Sequence, residues 1–192
     1  TYANLVPPII LALAKHPLVD KYDLSKLRQI TSGAAPLSAE VARACGQRLN
    51  CIVTQGYGLT ETSPVTHYGV DPAKDKFGSV GPCLPNTESK VVDVASGQTL
   101  GVGEHGEICI RGPQVMKGYL NNPQATANMI DPEGWLHTGD IGYFDEDSHF
   151  YVVDRLKELI KYKGLQVAPA ELEAVLLTHP AIADAAVIAS PD

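Results

Sequence analysis

The sequence predicts a mixed α/β fold with three parts: an α/β sheet region over residues 1–75, a small β-barrel-like region over 76–154, and the start of a second, α+β domain over 155–192. The order strand, turn, helix, strand, turn in the first part is typical of an open α/β sheet. Short alternating runs separated by glycines indicate a small barrel or sandwich in the second part. A hairpin pattern followed by a helix pattern indicates the third part.

The first part opens with a predicted helix over residues 9–15. Pro7 and Pro8 should break any element before it, and His16-Pro17 should end it, because the residue before a proline disfavours the helical conformation. Strands are then predicted at 27–31 and 51–54.

Between these strands, Ser38 is a candidate N-cap for a helix running to about Arg48. Val41, Cys45 and Leu49 would form its apolar face. Small-residue turns at 32–36 and 55–61 follow the two strands, so both turns should emerge at the same edge of the sheet, where α/β folds bind ligands.

The stretch 55–61 carries the strongest chemical signal. A glycine-rich turn lets the backbone approach a ligand closely, and Tyr57 can cover a flat heterocycle. The Thr60 hydroxyl can meet a phosphate oxygen, and the Glu61 carboxylate can hold a hard cation such as Mg²⁺. The alternative is a tight connection between a strand and a helix, with Tyr57 as a packed core ring.

The second part has three predicted strands, at residues 88–94, 106–111 and 149–153. Asn121-Asn122-Pro123 should start a short helix through about Met129. In the third part, residues 157–162 and 165–167 predict a hairpin around Gly164, and Pro169 opens a helix that ends at 179–180. Residues 185–189 predict a buried strand.

Composition excludes several function classes. The net charge is −7 and the basic residues are scattered, which argues against nucleic-acid binding. The longest apolar patch, 6–14, is too short to span a membrane. The four cysteines form no C-x-x-C pair and the six histidines no H-x-x-x-H pair, so the spacing predicts neither a zinc site nor disulfides, and it favours a reducing compartment.

Five motifs in order resemble the adenylate-forming superfamily, which includes acyl-CoA synthetases, 4-coumarate–CoA ligases, beetle luciferases and peptide-synthetase adenylation domains. They are residues 32–37, 55–61, 106–108 with 118–119, 134–140 and 154–164. Residues 166–173 resemble the coumarate ligase and luciferase branch. The resemblance implies the family's fold and its reaction, in which MgATP activates a carboxylic acid to an acyl-adenylate and coenzyme A then takes the acyl group.

The resemblance also implies roles for individual residues. A nucleotide site for ATP and AMP is implied for Gly33, Ala34, Ala35, Gln55, Gly56, Tyr57, Thr60, Asp140, Arg155 and Lys157. Within it, Tyr57 would flank the adenine, Thr60 would contact the α-phosphate, and Asp140 with Arg155 would bind the ribose. Glu61 would hold Mg²⁺, and Lys157 would lie at the hinge. Lys161 would serve thioester formation and Gln166 adenylation.

Gly33, Gly58, Pro64 and Val65 would line the acyl pocket. The two glycines would leave room for a flat aromatic acid, which favours a hydroxycinnamate such as 4-coumarate. A fatty acyl-CoA ligase, a luciferase-like oxygenase and a non-catalytic binding module stay open as alternatives. His67 could contact a ligand or pack in the core, whereas His137 is predicted to be a packing or supporting residue.

The family's phosphate loop and its adenylation lysine are expected outside this segment, which therefore should not adenylate by itself. We expect an intracellular protein, cytoplasmic or peroxisomal, whose partners are the acid, ATP and coenzyme A. Oligomeric state is left open.

Overall fold

The computed structural model describes residues 1–69, 71, 74–162, 165–179, 181–182 and 185–190. Two positions used in the sequence analysis, Gly164 and Pro180, lie outside these residues. In chain order the elements are β1 (Tyr2–Leu5), α1 (Pro7–Lys15), β2 (Gln29–Ser32), α2 (Ala39–Leu49), β3 (Ile52–Gly58), β4 (Val65–Tyr68), β5 (Glu88–Val92), β6 (Gly106–Arg111), α3 (Pro123–Met129), β7 (Leu136–Phe144), β8 (Phe150–Arg155), β9 (Ile160–Tyr162), β10 (Leu165–Val167) and α4 (Pro169–Leu177). Short 3-10 helices cover Pro17–Lys21 and Thr60–Thr62.

The first sheet has the order β1-β2-β3-β4. Strands β1, β2 and β3 run parallel, with α1 and α2 as the crossovers, and β4 pairs antiparallel with β3. The core under this sheet contains Ile10, Ile30, Leu37, Ala42 and Cys45. Because the three parallel strands end at one edge, the turns after β2 and β3 lie side by side, as the sequence predicted.

The second sheet is antiparallel with the order β5-β6-β7-β8 and contains the strands assigned to the barrel-like region. Bridges at His67↔Cys83 and Gly81↔Phe150 connect it to β4 of the first sheet. Its core cluster of Val80, Val91, Ile108, Ile110 and Phe150 also contacts Tyr57. The predicted mixed α/β class is confirmed, and the β3 end of the first sheet packs against the second sheet.

Local capping accounts for the helix boundaries that the sequence predicted well. The Ser38 hydroxyl accepts a hydrogen bond from the Val41 amide at the start of α2, and Asn122 caps α3 in the same way through the Ala125 amide. Pro7 and Pro8 do separate α1 from β1, which ends at Leu5, as predicted. The helix begins at Pro7, two residues earlier than predicted, because the first turn of a helix needs no backbone N–H donor.

Two element predictions were wrong. The glycine turn predicted from residue 55 is the second half of β3, because Gly56, Tyr57 and Gly58 pair with β4. The predicted buried strand at 185–189 has no strand conformation, and Ile188 is exposed. Among the described residues, none of the helices combines the length and apolar character that crossing a bilayer requires.

Candidate functional site

Two adjacent cavities open at the carboxyl ends of β1, β2 and β3. The larger has a volume of about 950 Å³ and the smaller about 330 Å³. Residues that line both cavities form a shared wall: Ala34, Gly56, Tyr57, Gly58 and Arg155. The structure therefore brings the predicted motifs 32–37 and 55–61 to one place. Arg155, from the start of the motif 154–164, joins them there.

Three side chains from three strands meet at the shared wall. The Tyr57 hydroxyl donates a 2.6 Å hydrogen bond to Asp140 Oδ2, and Arg155 Nε lies 3.1 Å from Asp140 Oδ1. Asp140 is only 4% exposed, whereas the Arg155 side chain is about half exposed. A carboxylate has about four acceptor positions, so Asp140 can accept a further hydrogen bond while keeping both partners.

Burial is the largest influence on the pKa values of the Asp140 carboxyl and the Tyr57 phenol. It raises the pKa of the Asp140 carboxyl, and the hydrogen bond from Tyr57 and the charge of Arg155 oppose that effect. Burial also raises the pKa of the Tyr57 phenol, and the Asp140 charge adds to the rise. Tyr57 therefore stays a hydroxyl donor at neutral pH.

A bulge in β7 positions Asp140. Glu107 pairs with Ile141, and Cys109 pairs with His137. An advance of two positions along β6 therefore corresponds to four positions along β7. Gly139 adopts φ +70°, a conformation that favours glycine, and its amide donates to Glu107 Oε1 at 2.9 Å.

Thr138 also positions Asp140, and this role was not predicted from the sequence. Its hydroxyl donates to the Ile108 carbonyl and accepts from the Asp140 amide, although its place in the motif beside Asp140 was a usable signal.

The turn after β2 is clamped to β3 by Gln55. The buried Gln55 amide accepts from the Leu37 N–H at 3.3 Å and donates to the Leu37 carbonyl at 3.1 Å. These two bonds make Gln55 a positioning residue at the wall of the smaller cavity, and its predicted contact with a nucleotide stays a prediction. Ala34 in this turn has φ +72°, an uncommon conformation for a residue other than glycine.

The two predicted pocket glycines differ. A Cβ added at Gly33 would have only the Gly56 carbonyl oxygen, at 3.9 Å, near it, which agrees with a residue that leaves space in the larger cavity. A Cβ added at Gly58 would instead overlap the carbonyl of Pro64. Gly58 is required by the close approach of two backbone segments, so the explanation that it leaves room for the acid was wrong.

Glu61 and Thr60 lie in the short 3-10 helix after β3 and line the larger cavity with Pro64 and Val65. Glu61 Oε1 accepts a 2.7 Å hydrogen bond from the Tyr119 hydroxyl. The Met116 amide donates to the Glu61 carbonyl at 2.7 Å, so the loop before α3 supports this carboxylate. Mg²⁺ is commonly bound by one or two carboxylates together with substrate phosphates, so the single Glu61 carboxylate at this cavity is a fitting ligand for it.

His67 is a packing residue. It is fully buried opposite Tyr57 in the β3–β4 ladder, and its ring lies 5.7 Å from the Tyr57 ring. Its ring nitrogens are within hydrogen-bond distance of Thr66 and Ser89. Burial lowers the pKa of His67 to about 3, so the ring is neutral and supports Tyr57 from behind.

The residues predicted for the hinge, thioester formation and adenylation lie at the end of β8 and beyond it in the chain. Lys157 is exposed in the turn after β8 and lines a separate depression with Asp154. Lys161 and Gln166 occupy paired positions in the β9–β10 hairpin. Sequence analysis did not identify the buried Asp154 as a cap: its Oδ2 accepts from the Ala170 amide at the start of α4, which ties that helix to β8.

Tyr57, Glu61 and Asp140 thus surround one connected region. Glu61 faces the larger cavity, Asp140 faces the smaller one, and Tyr57 lines both and contacts Asp140 directly. The region therefore offers an aromatic ring, two carboxylates and the Arg155 guanidinium to whatever occupies it.

Known proteins give independent evidence. A family model described as "AMP-binding enzyme" matches residues 1–120. The chain is 56% identical to 4-coumarate–CoA ligase 2 of Oryza sativa subsp. japonica, covering 100% of this chain and 35% of the rice protein. It is also 56% identical to luciferin 4-monooxygenase of Photinus pyralis, covering 99% of this chain and 34% of that relative.

Solved structures agree. The anthranilate CoA ligase AuaEII, determined in complex with anthranoyl-AMP, superposes with a TM-score of 0.91 at 29% identity, covering 100% of this chain and 37% of that one. The chain spans about a third of the length of the curated relatives it matches. With a family model matching more than half of the residues and the motifs meeting at one pair of cavities, the chain belongs to the AMP-binding enzyme family.

Proposed function

We propose that the chain forms part of the active site of an ATP-dependent acid–CoA ligase. In the first step a carboxylate oxygen attacks the α-phosphorus of ATP and pyrophosphate leaves. In the second step the sulfur of coenzyme A attacks the acyl carbon and AMP leaves. The observation that carries the proposal is the trio of Tyr57, Asp140 and Arg155 at the wall between the two cavities. The coumarate ligase relatives support the reaction class.

The smaller cavity suits the nucleoside. Ala34, Ala35 and Tyr57 line it together, so two small residues and an aromatic ring border the same space. Asp140 would accept hydrogen bonds from the ribose hydroxyls, and Arg155, with its exposed side chain, can shift to make room. Hydrogen bonds to an ionised group are about twice as strong as neutral ones, so Asp140 should dominate binding of the sugar.

The larger cavity suits the phosphate and the acid. Thr60 and Glu61 lie at one side, and Glu61 would hold Mg²⁺ next to the phosphates. When bound, Mg²⁺ offsets the negative charge that the phosphates carry. The polar residues Thr60 and Thr31 are combined there with apolar residues such as Leu5, Val65 and Leu84.

We propose a hydroxycinnamate such as 4-coumarate as the acid. The open space at Gly33 and the apolar lining of the larger cavity fit a flat aromatic ring. Luciferin is the second candidate, because the luciferin 4-monooxygenase relative is as similar to this chain as the rice ligase.

We also propose the division into a large-domain part, residues 1–154, and a small-domain part, residues 155–192. In this scheme Lys157 lies at the hinge, Lys161 serves thioester formation and Gln166 serves adenylation. A rotation of the small domain would have to break the cap that Asp154 provides for α4 and the hydrogen bond from Lys15 Nζ to the Leu177 carbonyl. A cytoplasmic or peroxisomal location stays a prediction.

Calorimetric titration of the chain tests the proposal. AMP, and non-hydrolysable sulfamoyl analogues of coumaroyl-, palmitoyl- and luciferyl-adenylate, would be compared. We expect the coumaroyl analogue to bind more tightly than AMP and than the palmitoyl analogue. Tighter binding of the luciferyl analogue would favour the second candidate, and no binding of any ligand would favour a non-catalytic module.

Gly33→Ala provides the matched variant for the acid. Its Cβ would make only an ordinary van der Waals contact, at 3.9 Å from the Gly56 carbonyl oxygen, so the fold should be kept while the acyl space is reduced. We expect the affinity for the coumaroyl analogue to fall more than the affinity for AMP. An equal loss for both ligands would contradict the placement of the acid beside Gly33.

A further inference from the structure

A second cluster of ligand-type side chains lies behind the nucleotide site. Glu107 and Cys109 on β6 and His137 on β7 place a carboxylate oxygen, a sulfur and a ring nitrogen within 4.8 Å of one another. His137 Nδ1 is 2.8 Å from Glu107 Oε2 and 3.5 Å from Cys109 Sγ. Among the described residues this is the one group of three such side chains that could share an ion.

One of these two distances equals an edge of a tetrahedral zinc site, and the other is shorter than an edge. Zinc binds sulfur at about 2.3 Å and nitrogen or oxygen at about 2.0–2.2 Å, so ligand atoms in a tetrahedron lie about 3.3–3.6 Å apart. The nitrogen–sulfur distance of 3.5 Å already has this value, and the nitrogen–oxygen distance of 2.8 Å needs an opening of about half an ångström. We propose that Glu107, Cys109 and His137 bind a Zn²⁺-class divalent ion, with an open fourth position for water.

A carboxylate lies near the second ring nitrogen of His137, at ion-pair distance. Asp131 Oδ2 lies 3.8 Å from His137 Nε2, the ring nitrogen that faces away from the other two ligands. Zinc-binding histidines commonly give their second N–H to a carboxylate, which fixes the ring orientation. Glu107 Oε1 is held by the Gly139 amide, so its Oε2 is oriented towards the histidine.

An ion can reach the cluster from one side. Cys109 is fully buried, Glu107 is mostly buried, and the His137 side chain is 36% exposed, so His137 forms the entrance. Burial raises the pKa of the Cys109 thiol to about 12, and an ion entering the site would displace its proton. Lys90 on β5 pairs with Cys109 on β6. The Lys90 ammonium lies over the Trp135 ring, 4.3 Å from the ring centre.

Sequence spacing could not find this cluster. The rules for zinc sites use pairs a few residues apart, whereas His137 reaches Cys109 only through the β6–β7 register. The bulge in β7 then brings Glu107 to the same ring nitrogen. The prediction that the chain has no zinc site rested on spacing alone.

Cobalt substitution tests the proposal. The metal-free chain would be titrated with Co²⁺, because a thiolate ligand produces a charge-transfer band in the near ultraviolet, and Zn²⁺ would then be added as a competitor. We expect such a band for the wild-type chain and its loss in Cys109→Ser. Asp131→Asn should weaken Zn²⁺ binding by roughly 10-fold, and His137→Gln by more than the roughly 100-fold upper limit for a supporting residue.

Cys45→Ser is the matched control, because Cys45 is an equally buried cysteine in the core of the first sheet. It should keep the band. Circular dichroism would check that each variant is folded, and if Cys109→Ser is not, His137→Gln decides, since its side chain is partly exposed. A wild-type chain without the band at saturating Co²⁺, or a His137→Gln variant with unchanged Zn²⁺ affinity, would overturn the proposal.

Discussion

Asp140→Asn should separate stability from nucleotide binding. The carboxylate lies buried between Tyr57 and Arg155, and burial raises its pKa. An acid with a raised pKa in the folded state favours folding when it is protonated, and that contribution is lost as the pH rises through the folded pKa. Asparagine keeps an oxygen for the Tyr57 hydroxyl and carries no charge, so at pH 7 the variant should be at least as stable as the wild type.

The expected change in the Kd for AMP follows from the hydrogen bonds between the ribose hydroxyls and Asp140. A bond to an ionised acceptor contributes about 1.5–3 kcal/mol, so weakening those from the ribose should raise the Kd for AMP by roughly 10- to 150-fold. Arg155 would lose its charged partner in the same variant, but its exposed side chain can turn to solvent.

The assay combines urea unfolding at several pH values with calorimetric titration of AMP. Any advantage of the variant in the free energy of unfolding should be largest near neutral pH and should decrease as the pH falls, because the wild type gains stability on protonation of Asp140. An unchanged Kd for AMP, or a pH-independent loss of more than about 2 kcal/mol of stability, would refute the reasoning.

Three other variants test the surrounding structure. Gly58→Ala should destabilise the chain by about 1–3 kcal/mol in thermal unfolding, because its Cβ overlaps the Pro64 carbonyl, and a normal melting temperature would contradict this. Gln55→Leu leaves the buried N–H and C=O of Leu37 unpaired and should cost about 2–5 kcal/mol in urea unfolding, with a cost below about 1 kcal/mol as the contrary result. Asp145 follows β7 and accepts hydrogen bonds from Lys76 and Tyr151. Burial acts to raise the pKa of its carboxyl, but these and its other hydrogen bonds lower it to about 2. Asp145→Asn should therefore be destabilising at pH 7, and the difference should shrink as the pH falls below about 4, the ordinary value for the unfolded chain; a constant difference would count against it.

The features predicted well from sequence are those set by nearby residues. Ser38 and Asn122 cap helices through amides three residues further along, so their side chains mark the boundaries directly. Strand β6 was predicted with its observed bounds, because an alternating run lies between glycine-containing segments. Long motifs also identified Tyr57 and Asp140 before their contact was visible.

The features missed depend on partners far away in the chain. The glycines at 56 and 58 give this segment the composition of a turn, but pairing with β4 makes it a strand. The apolar run at 185–189 has strand composition, yet no strand forms there among the described residues. The β7 bulge brings Glu107 against both Gly139 and His137, and this follows from a register that no local pattern contains.

A crystal structure of the chain with AMP would locate the nucleotide relative to Tyr57 and Asp140. We expect the adenine beside the Tyr57 ring, the ribose hydroxyls within hydrogen-bond distance of Asp140, and the phosphate beside Thr60. AMP bound with its sugar away from Asp140, or in a cavity that Tyr57 does not line, would contradict the assignment of this site.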